Sequence, residues 1–321
     1  MMILKKIQFF KGKKYRPGLL IMLLIIGAPF FFLGGPGAHG ARSSVALWDM
    51  GHVLFFSIAS WLLCKQFRYR FPDLSAFTRN SLVFLLVLAS GGIVEGLQMG
   101  FDGRIPDFRD ILRNQLGCLI TLVFFDSLAF SKHKKWPYII QFVTLSMVLV
   151  AFYPFVRGVV DEVIAAYQFP VIADFETIFE RDRWVDKEII SVEKSLARHG
   201  EYSLKVRLNT DTYSGVALCY FPGNWTGYKS LYFSIFHTDK EPLEIVCRIH
   251  DADHTNEYAD RFNQRLQLQK GWNDFSLLLE DIKHAPASRL LNMKKIVNIT
   301  FFVIRQEKER IIYLDNIYLE K

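Results

Sequence analysis

Residues 17–41 read PGLLIMLLIIGAPFFFLGGPGAHGA, 25 residues without an Asp, Glu, Lys or Arg. Residues 18–34 are almost wholly Leu, Ile, Met and Phe. At 1.5 Å rise per residue, about 20 such residues cross a hydrocarbon layer about 30 Å thick. Similar segments follow at residues 46–66, 80–99, 111–130 and 136–156, so five spans are expected. The first also has features of a cleaved signal peptide: basic residues at 5–16 and small residues at 34–41.

The rest of the chain is different. The 321 residues are 51% hydrophobic, high for a soluble protein and low for one wholly in a membrane. Net charge is +7, which taken alone suggests a nucleic-acid partner. Its distribution excludes that: residues 1–160 hold 18 Lys and Arg against 7 Asp and Glu, while residues 161–321 hold 21 against 25. The basic half is the apolar half, as in a membrane protein. Thirteen basic residues (Lys5, Lys6, Lys11, Lys13, Lys14, Arg16, Lys65, Arg68, Arg70, Arg79, Lys132, Lys134 and Lys135) fall on one side if all five spans cross. The positive-inside rule then makes the N-terminus cytoplasmic and delivers the C-terminal half outside. The expected organisation is a transmembrane helical domain over 1–157, a linker or stalk over 158–169, and an extracytoplasmic β-sandwich over 170–321.

Ionisable residues in or near spans are costly and are functional candidates. Here they group. Asp49 and His52 lie at i and i+3 near the start of the second span. Glu95 and Gln98 share a face near the end of the third. Asp107, Asp110 and Asn114 enter the fourth, with Arg104 just ahead. All fall toward the outer surface, and His52 and Glu95 sit at similar depth. Two readings are open. In one, the charges neutralise one another, Arg104 with Asp107 or Asp110, and Glu95 with His52 or Arg109. In the other, they form a pocket for an anionic or lipid-linked headgroup, with His52 and Glu95 as an acid/base pair. Gly91, Gly92, Gly96 and Gly117 suit close helix packing. Cys64 and Cys118 sit in apolar context as small core residues.

The ordered set Asp49-x-x-His52-x-x-x-Phe56, Glu95-x-x-Gln98 and Arg104-x-x-Asp107-x-x-Asp110-x-x-x-Asn114-x-x-Gly117 resembles the VanZ-like membrane family over about residues 15–130. The resemblance implies a small helical integral protein of the bacterial cell membrane. The founding member is associated with low-level teicoplanin resistance, and the family has no agreed biochemical activity. Many relatives carry a Lys just before the His, where this chain has Met50 and Gly51.

From Pro170 the pattern alternates with period two, as in Tyr202-Ser-Leu-Lys-Val-Arg-Leu-Asn209. Strands are expected near 172–176, 202–209, 214–221, 229–237, 243–250, 272–279, 296–304 and 310–319. Many short strands in about 150 residues indicate a sandwich. Residues 251–261 (DADHTNEYADR) read as a polar loop that lines a site or is simply solvated. Aromatic candidates for stacking on sugar rings are Trp184, Tyr213, Tyr220, Trp225, Tyr228 and Tyr258. Cys219 and Cys247 lie outside the cytoplasm, where a disulfide is permitted.

Three stretches resemble the galactose-binding-like, jelly-roll carbohydrate-binding modules over about 170–321. They are Ala173-Asp-Phe-Glu176 with Trp184 following, residues 195–206 (SLARHGEYSLKV), and Tyr313-Leu-Asp-Asn-Ile-Tyr318. Many such modules hold a structural Ca²⁺ between first and last strands, and Glu176 and Asp315 occupy similar places.

Three functions fit. One is an envelope protein that engages membrane lipid through its helices and lipid-linked or cell-wall glycan through its sandwich. Another is an enzyme acting on a polyprenyl-linked or glycolipid substrate. The third is a scaffold for envelope-assembly proteins. No catalytic residue is assigned.

Overall fold

Pro29 has no N–H to continue a helical ladder, and the first apolar segment breaks there. Helix α1 (Gly18–Gly27) gives way to a 3₁₀ turn over Ala28–Phe31. The structure, a computed structural model, describes residues 18–32, 35–37, 40–100, 107–126 and 136–321. Arg104 and the basic residues at 5–16 and 132–135 lie outside the described residues. The chain divides into two compact units: Met1–Gly37 with Ser44–Phe155, and Ala38–Ser43 with Val156–Lys321.

Among the described residues, three helices are long and apolar enough to cross a membrane: α2 (Arg42–Arg70), α3 (Ala76–Gln98) and α5 (Trp136–Gln168). Their 29, 23 and 33 residues correspond to about 44, 35 and 50 Å. Ser75 caps α3 by accepting from the Thr78 N–H at 3.0 Å. The first expected span is shorter, 14 residues as Gly18–Phe31. The fourth becomes α4 (Phe108–Ile120), capped by Asp107, followed by a π-helical turn at Thr121–Phe125. Asn114 and Gln115 are among its buried residues, so α4 turns polar groups inward. The described residues thus hold three long helices and two shorter apolar elements, and the count of five spans is not confirmed. Helix α5 continues through the expected stalk to Gln168.

In the first unit, α2 and α4 meet at Gly117. A Cβ there would strike the Val53 carbonyl oxygen. Ser57 Oγ donates to the Gly117 carbonyl at 3.0 Å, and Thr121 Oγ1 donates to the Ser57 carbonyl at 2.7 Å. Gly91 makes a similar close approach, to Asn114. Gly92 and Gly96 do not: open space surrounds both, so the packing role expected of them is not seen. Cys64 and Cys118 are buried in the bundle core with Phe31, Phe56, Val83 and Val87.

The second unit is a β-sandwich. Its strands are β1 (Val171–Ala173), β2 (Ile190–Glu193), β3 (Ser203–Leu208), β4 (Tyr213–Leu218), β5 (Ser230–His237), β6 (Leu243–Asp251), β7 (Phe262–Leu268), β8 (Gly271–Leu278), β9 (Ile296–Ile304) and β10 (Arg310–Glu320). A short helix, α6 (Leu279–Lys283), follows β8. One sheet runs β2-β3-β10-β5-β8 with β1 on β10, and the other runs β4-β9-β6-β7. All pairings are antiparallel. Alternate residues face the shared core: Leu204 and Val206 on β3, Ile245, Cys247 and Ile249 on β6, and Ile299, Phe301 and Val303 on β9. At the turn before β3, Gly200 has φ +68°, and a Cβ there would meet the Glu176 carboxylate. Strands β2 and β7 are additions to the expected set.

Candidate functional site

The polar residues of the helical unit gather into one cluster, but most are engaged with one another. Arg113 is its hub. Its Nη2 donates to Asp49 at 2.6 Å, its Nη1 donates to Asp110, and Asp107 lies 3.9 Å away. His52 Nδ1 lies 2.9 Å from Asn114 Oδ1, and its Nε2 lies 3.4 Å from Asp110. Glu95 accepts from the Asp107 N–H at 2.9 Å, and Gln98 donates to the Phe31 carbonyl at 2.7 Å. His52 is thus bonded to Asp110 and Asn114 rather than to Glu95. Among the described residues Arg113, not Arg109, supplies the cation. Its i, i+3 spacing from Asp110 is visible in the sequence, but its contact with Asp49 depends on helix packing. Beside His52 lies an apolar cleft of about 490 Å³, lined by Leu23, Phe30, Phe31, Trp48 and Phe55 among others.

The aromatic candidates of the sandwich separate cleanly. Trp184 and Trp225 are 0% and 1% exposed, in the core, which corrects their assignment as exposed sugar contacts. An indole buried between two sheets cannot stack on a ligand. Tyr220 carries the Arg42 guanidinium over its ring at 5.2 Å. Tyr228 is half-buried, packs edge-on against Phe169, and borders a cleft of about 460 Å³ with Lys229, Glu280 and Lys283. Tyr213 and Tyr258 are 68% and 72% exposed.

Tyr213 opens the outer face of the four-stranded sheet. Strand register places Tyr213 opposite Ile304, Gly215 opposite Phe302 and Ala217 opposite Thr300. It also places Val246 opposite Phe302 and Arg265, and Arg248 opposite Thr300 and Asn263. These residues alternate with core positions and so share the outward face. Tyr213 and Phe302 rings lie 6.0 Å apart. Arg248 sits over Phe302 at 5.6 Å and donates to Thr300 Oγ1 at 3.2 Å. Thr300 in turn donates to Asn298 Oδ1 at 2.5 Å. Burial, then the neighbouring charge of Arg261, lowers the Arg248 pKa from the ordinary arginine value. Phe302, Arg248 and Asn263 were not singled out from the sequence. Phe302 lies in the apolar run Ile299–Ile304, where only strand pairing shows which rings face out.

The polar stretch 251–261 is pinned rather than loosely solvated. Arg289 clasps Asp251 bidentately at 2.6 and 2.8 Å and also bonds Asp260, once at 3.0 Å. Asp251 is fully buried and also accepts from the Asn292 N–H at 2.6 Å. Burial alone would raise its pKa, but Arg289 and that N–H outweigh it and hold the carboxyl below the usual range. Asp260, bonded by Arg289 and by the Thr255 N–H, is also held low. The clasp fixes the segment that presents Tyr258 and Arg261, whose guanidinium lies 5.4 Å from the Tyr258 ring centre. His250 and His254 stack at 4.5 Å. No group of three or more His, Cys, Asp or Glu arranged to hold a metal occurs among the described residues.

Glu176 and Asp315 are each tied to backbone N–H groups rather than grouped with other carboxylates. Asp315 is buried and accepts from the N–H groups of Arg198, His199 and Asn316 at 2.5, 3.0 and 2.7 Å. Glu176 accepts from the N–H groups of Glu201 and Tyr202 at 2.7 and 2.9 Å. Converging amide N–H dipoles suit an anion and repel a cation. Cys219 and Cys247 are both free. Cys247 is opposite Phe301 on β9, while Cys219 follows the Leu218–Ile299 pair on that strand's other side. Two strand spacings of about 4.8 Å each exceed the Cα separation a disulfide tolerates.

No family model and no curated protein matches the chain. Among solved structures it is similar to a family 11 carbohydrate-binding module from Clostridium thermocellum in complex with a β-1,3-1,4-mixed-linked tetrasaccharide. Identity is 17% and TM-score 0.36, covering 47% of this chain and 94% of that one. It is also similar to an exo-β-agarase, at 16% identity and TM-score 0.39 over 47% of this chain and 24% of that one. A family 30 carbohydrate-binding module of the Clostridium thermocellum cellulosomal cellulase Cel9D-Cel44B is 13% identical, with TM-score 0.31 over 41% and 82%. The VanZ-like resemblance of residues 15–130 gains no support from family models.

Proposed function

We propose that this is a membrane-anchored glycan-binding protein of the bacterial cell envelope, with the outer face of the four-stranded sheet as its binding surface. The observation that carries the proposal is the composition of that face. Tyr213 offers an exposed flat ring with Phe302 beside it, and Arg248, Asn263, Arg265 and Gln267 place hydrogen-bonding groups on the same face, the last two shared with Glu244. A flat apolar ring with polar neighbours complements a sugar, which has an apolar face and a rim of hydroxyls. Three crossings or five would both place the sandwich on the side opposite a cytoplasmic N-terminus, where envelope glycans lie. The test is binding of the full chain in detergent to immobilised glycans, comparing Tyr213→Ala with the unsubstituted protein. Losing about 60 Å² of ring contact at about 25 cal/mol/Å² gives about 1.5 kcal/mol, or tenfold weaker binding. Equal binding by both proteins would remove this face from the account.

A second reading concerns the helical unit. The apolar cleft beside His52, with the Asp49, Asp107, Asp110, Asn114 and Glu95 cluster at its edge, suits an acyl or polyprenyl chain whose headgroup meets the polar residues. Native mass spectrometry of the purified chain tests it: a retained lipid that is lost in Trp48→Ala supports the pocket, and lipid-free protein counts against it. Chemistry on that headgroup would fall to His52, the one buried imidazole of the cluster.

A further inference from the structure

We infer that the sugar surface selects an acidic glycan, one whose rings carry carboxylate groups. The inference rests on the glycan-binding reading above and deepens it. Elsewhere in the sandwich unit, partly or fully buried arginines close on carboxylates: Arg183 on Asp161, Arg289 on Asp251 and Asp260, and Arg310 on Asp239 and Glu241. Arg248 and Arg261 do not. Both are half-buried, and neither forms an ion pair among the described residues. They are also neighbours. Arg248 pairs in register with Asn263, and Arg261 immediately precedes β7 in extended backbone, close enough for its charge to act on Arg248. Two like charges so placed repel. Here each guanidinium rests against a ring instead, Arg248 on Phe302 and Arg261 on Tyr258.

Among the outward register positions of β6 and β7 the one acidic side chain is Glu244, already engaged by Arg265 at 2.5 Å and by Gln267 at 3.0 Å. The face therefore carries three arginines against one glutamate, and the glutamate is spoken for. A carboxylate on a bound sugar would bring the missing counter-charge to a partly desolvated site, where a charge-assisted hydrogen bond is at its strongest. The exposed ring of Tyr213, a stacking platform on the same face, favours a sugar polymer over an anionic lipid surface.

The test uses the full chain in detergent and two ligands that differ only in charge: an oligogalacturonate and its carboxyl-reduced counterpart, compared by isothermal titration calorimetry at 50 and 300 mM salt. The expected result is at least about tenfold tighter binding of the charged oligomer at 50 mM, with the gap narrowing at 300 mM as screening shortens. Arg261→Gln should shrink the gap by weakening the charged oligomer, and Arg248→Gln should shrink it while also weakening the reduced oligomer. Equal affinity for the two oligomers, or preference for the reduced one, overturns the inference and leaves the glycan-binding reading standing. Binding to neither, with binding to phosphatidylglycerol vesicles, overturns both. Binding to none of the three does so as well.

Discussion

Replacing Arg289 by Met keeps the aliphatic stem and removes the guanidinium that holds residues 251–261 against the 289–292 segment. Asp251 is then left fully buried with one backbone N–H donor, from Asn292. Removing one partner of a buried ion pair costs about 3–5 kcal/mol. Arg289 is itself 26% exposed, so the lower end applies, about 3 kcal/mol. In a domain of about 150–250 residues each kcal/mol is worth roughly 2–4 °C, which gives a fall of about 6–12 °C for the sandwich transition. The effect has a pH signature. Both carboxyls titrate lower in the folded chain than unfolded, so their contribution is complete above the ordinary Asp value near 4 and is lost as pH falls through their depressed folded values. The gap between Arg289→Met and the unsubstituted chain should be full at pH 6 and shrink progressively below pH 4. Melting of the full chain in detergent, followed by the buried Trp184 and Trp225, reads the stability. Amide hydrogen exchange over 251–261 reads the local release. A melting point within 2 °C of the parent, with unchanged exchange over 251–261, would refute the clasp.

Arg183 and Asp161 form a more deeply buried pair, 1% and 2% exposed at 2.9 Å. Arg42 also pairs with Asp161 and stays in place, so Arg183→Met should destabilise this unit by about 3 kcal/mol, the lower end for a buried pair, in the same melting assay. Gly117→Val should disrupt the bundle and lower detergent-extracted yield, because its Cβ would meet the Val53 backbone, whereas Gly92→Ala should be silent. Cys219 and Cys247 should both react with maleimide after denaturation without reductant, and the melting point should not respond to dithiothreitol; a reductant-dependent gel shift would contradict the strand register.

The division into an apolar helical half and an alternating half is legible because hydropathy and period are local properties. Residues 202–209 announce β3 by alternation alone. Strand β7 is hidden because Asn263, Gln264, Arg265 and Gln267 outnumber its inward residues on an edge strand. Exposure is the least legible property. Trp184 and Trp225 are expected as surface rings, yet both are buried in the sandwich core, Trp225 at the wall of the cleft beside Tyr228. Phe302 is buried by composition and outward by register. The clustering of Asp49, His52, Asp107, Asp110 and Asn114 follows from helical spacing. The pairing of Asp49 with Arg113 follows only once α2 and α4 approach at Gly117.

The most direct test of the account is a hydrogen-exchange footprint of the full chain in detergent with and without saturating acidic oligosaccharide. The account predicts slowed exchange over 213–217, 258–265 and 298–304, with β2, β3, β5, β8 and β10 unchanged. Protection confined to 225–229 and 278–283, or to the opposite sheet, would contradict it.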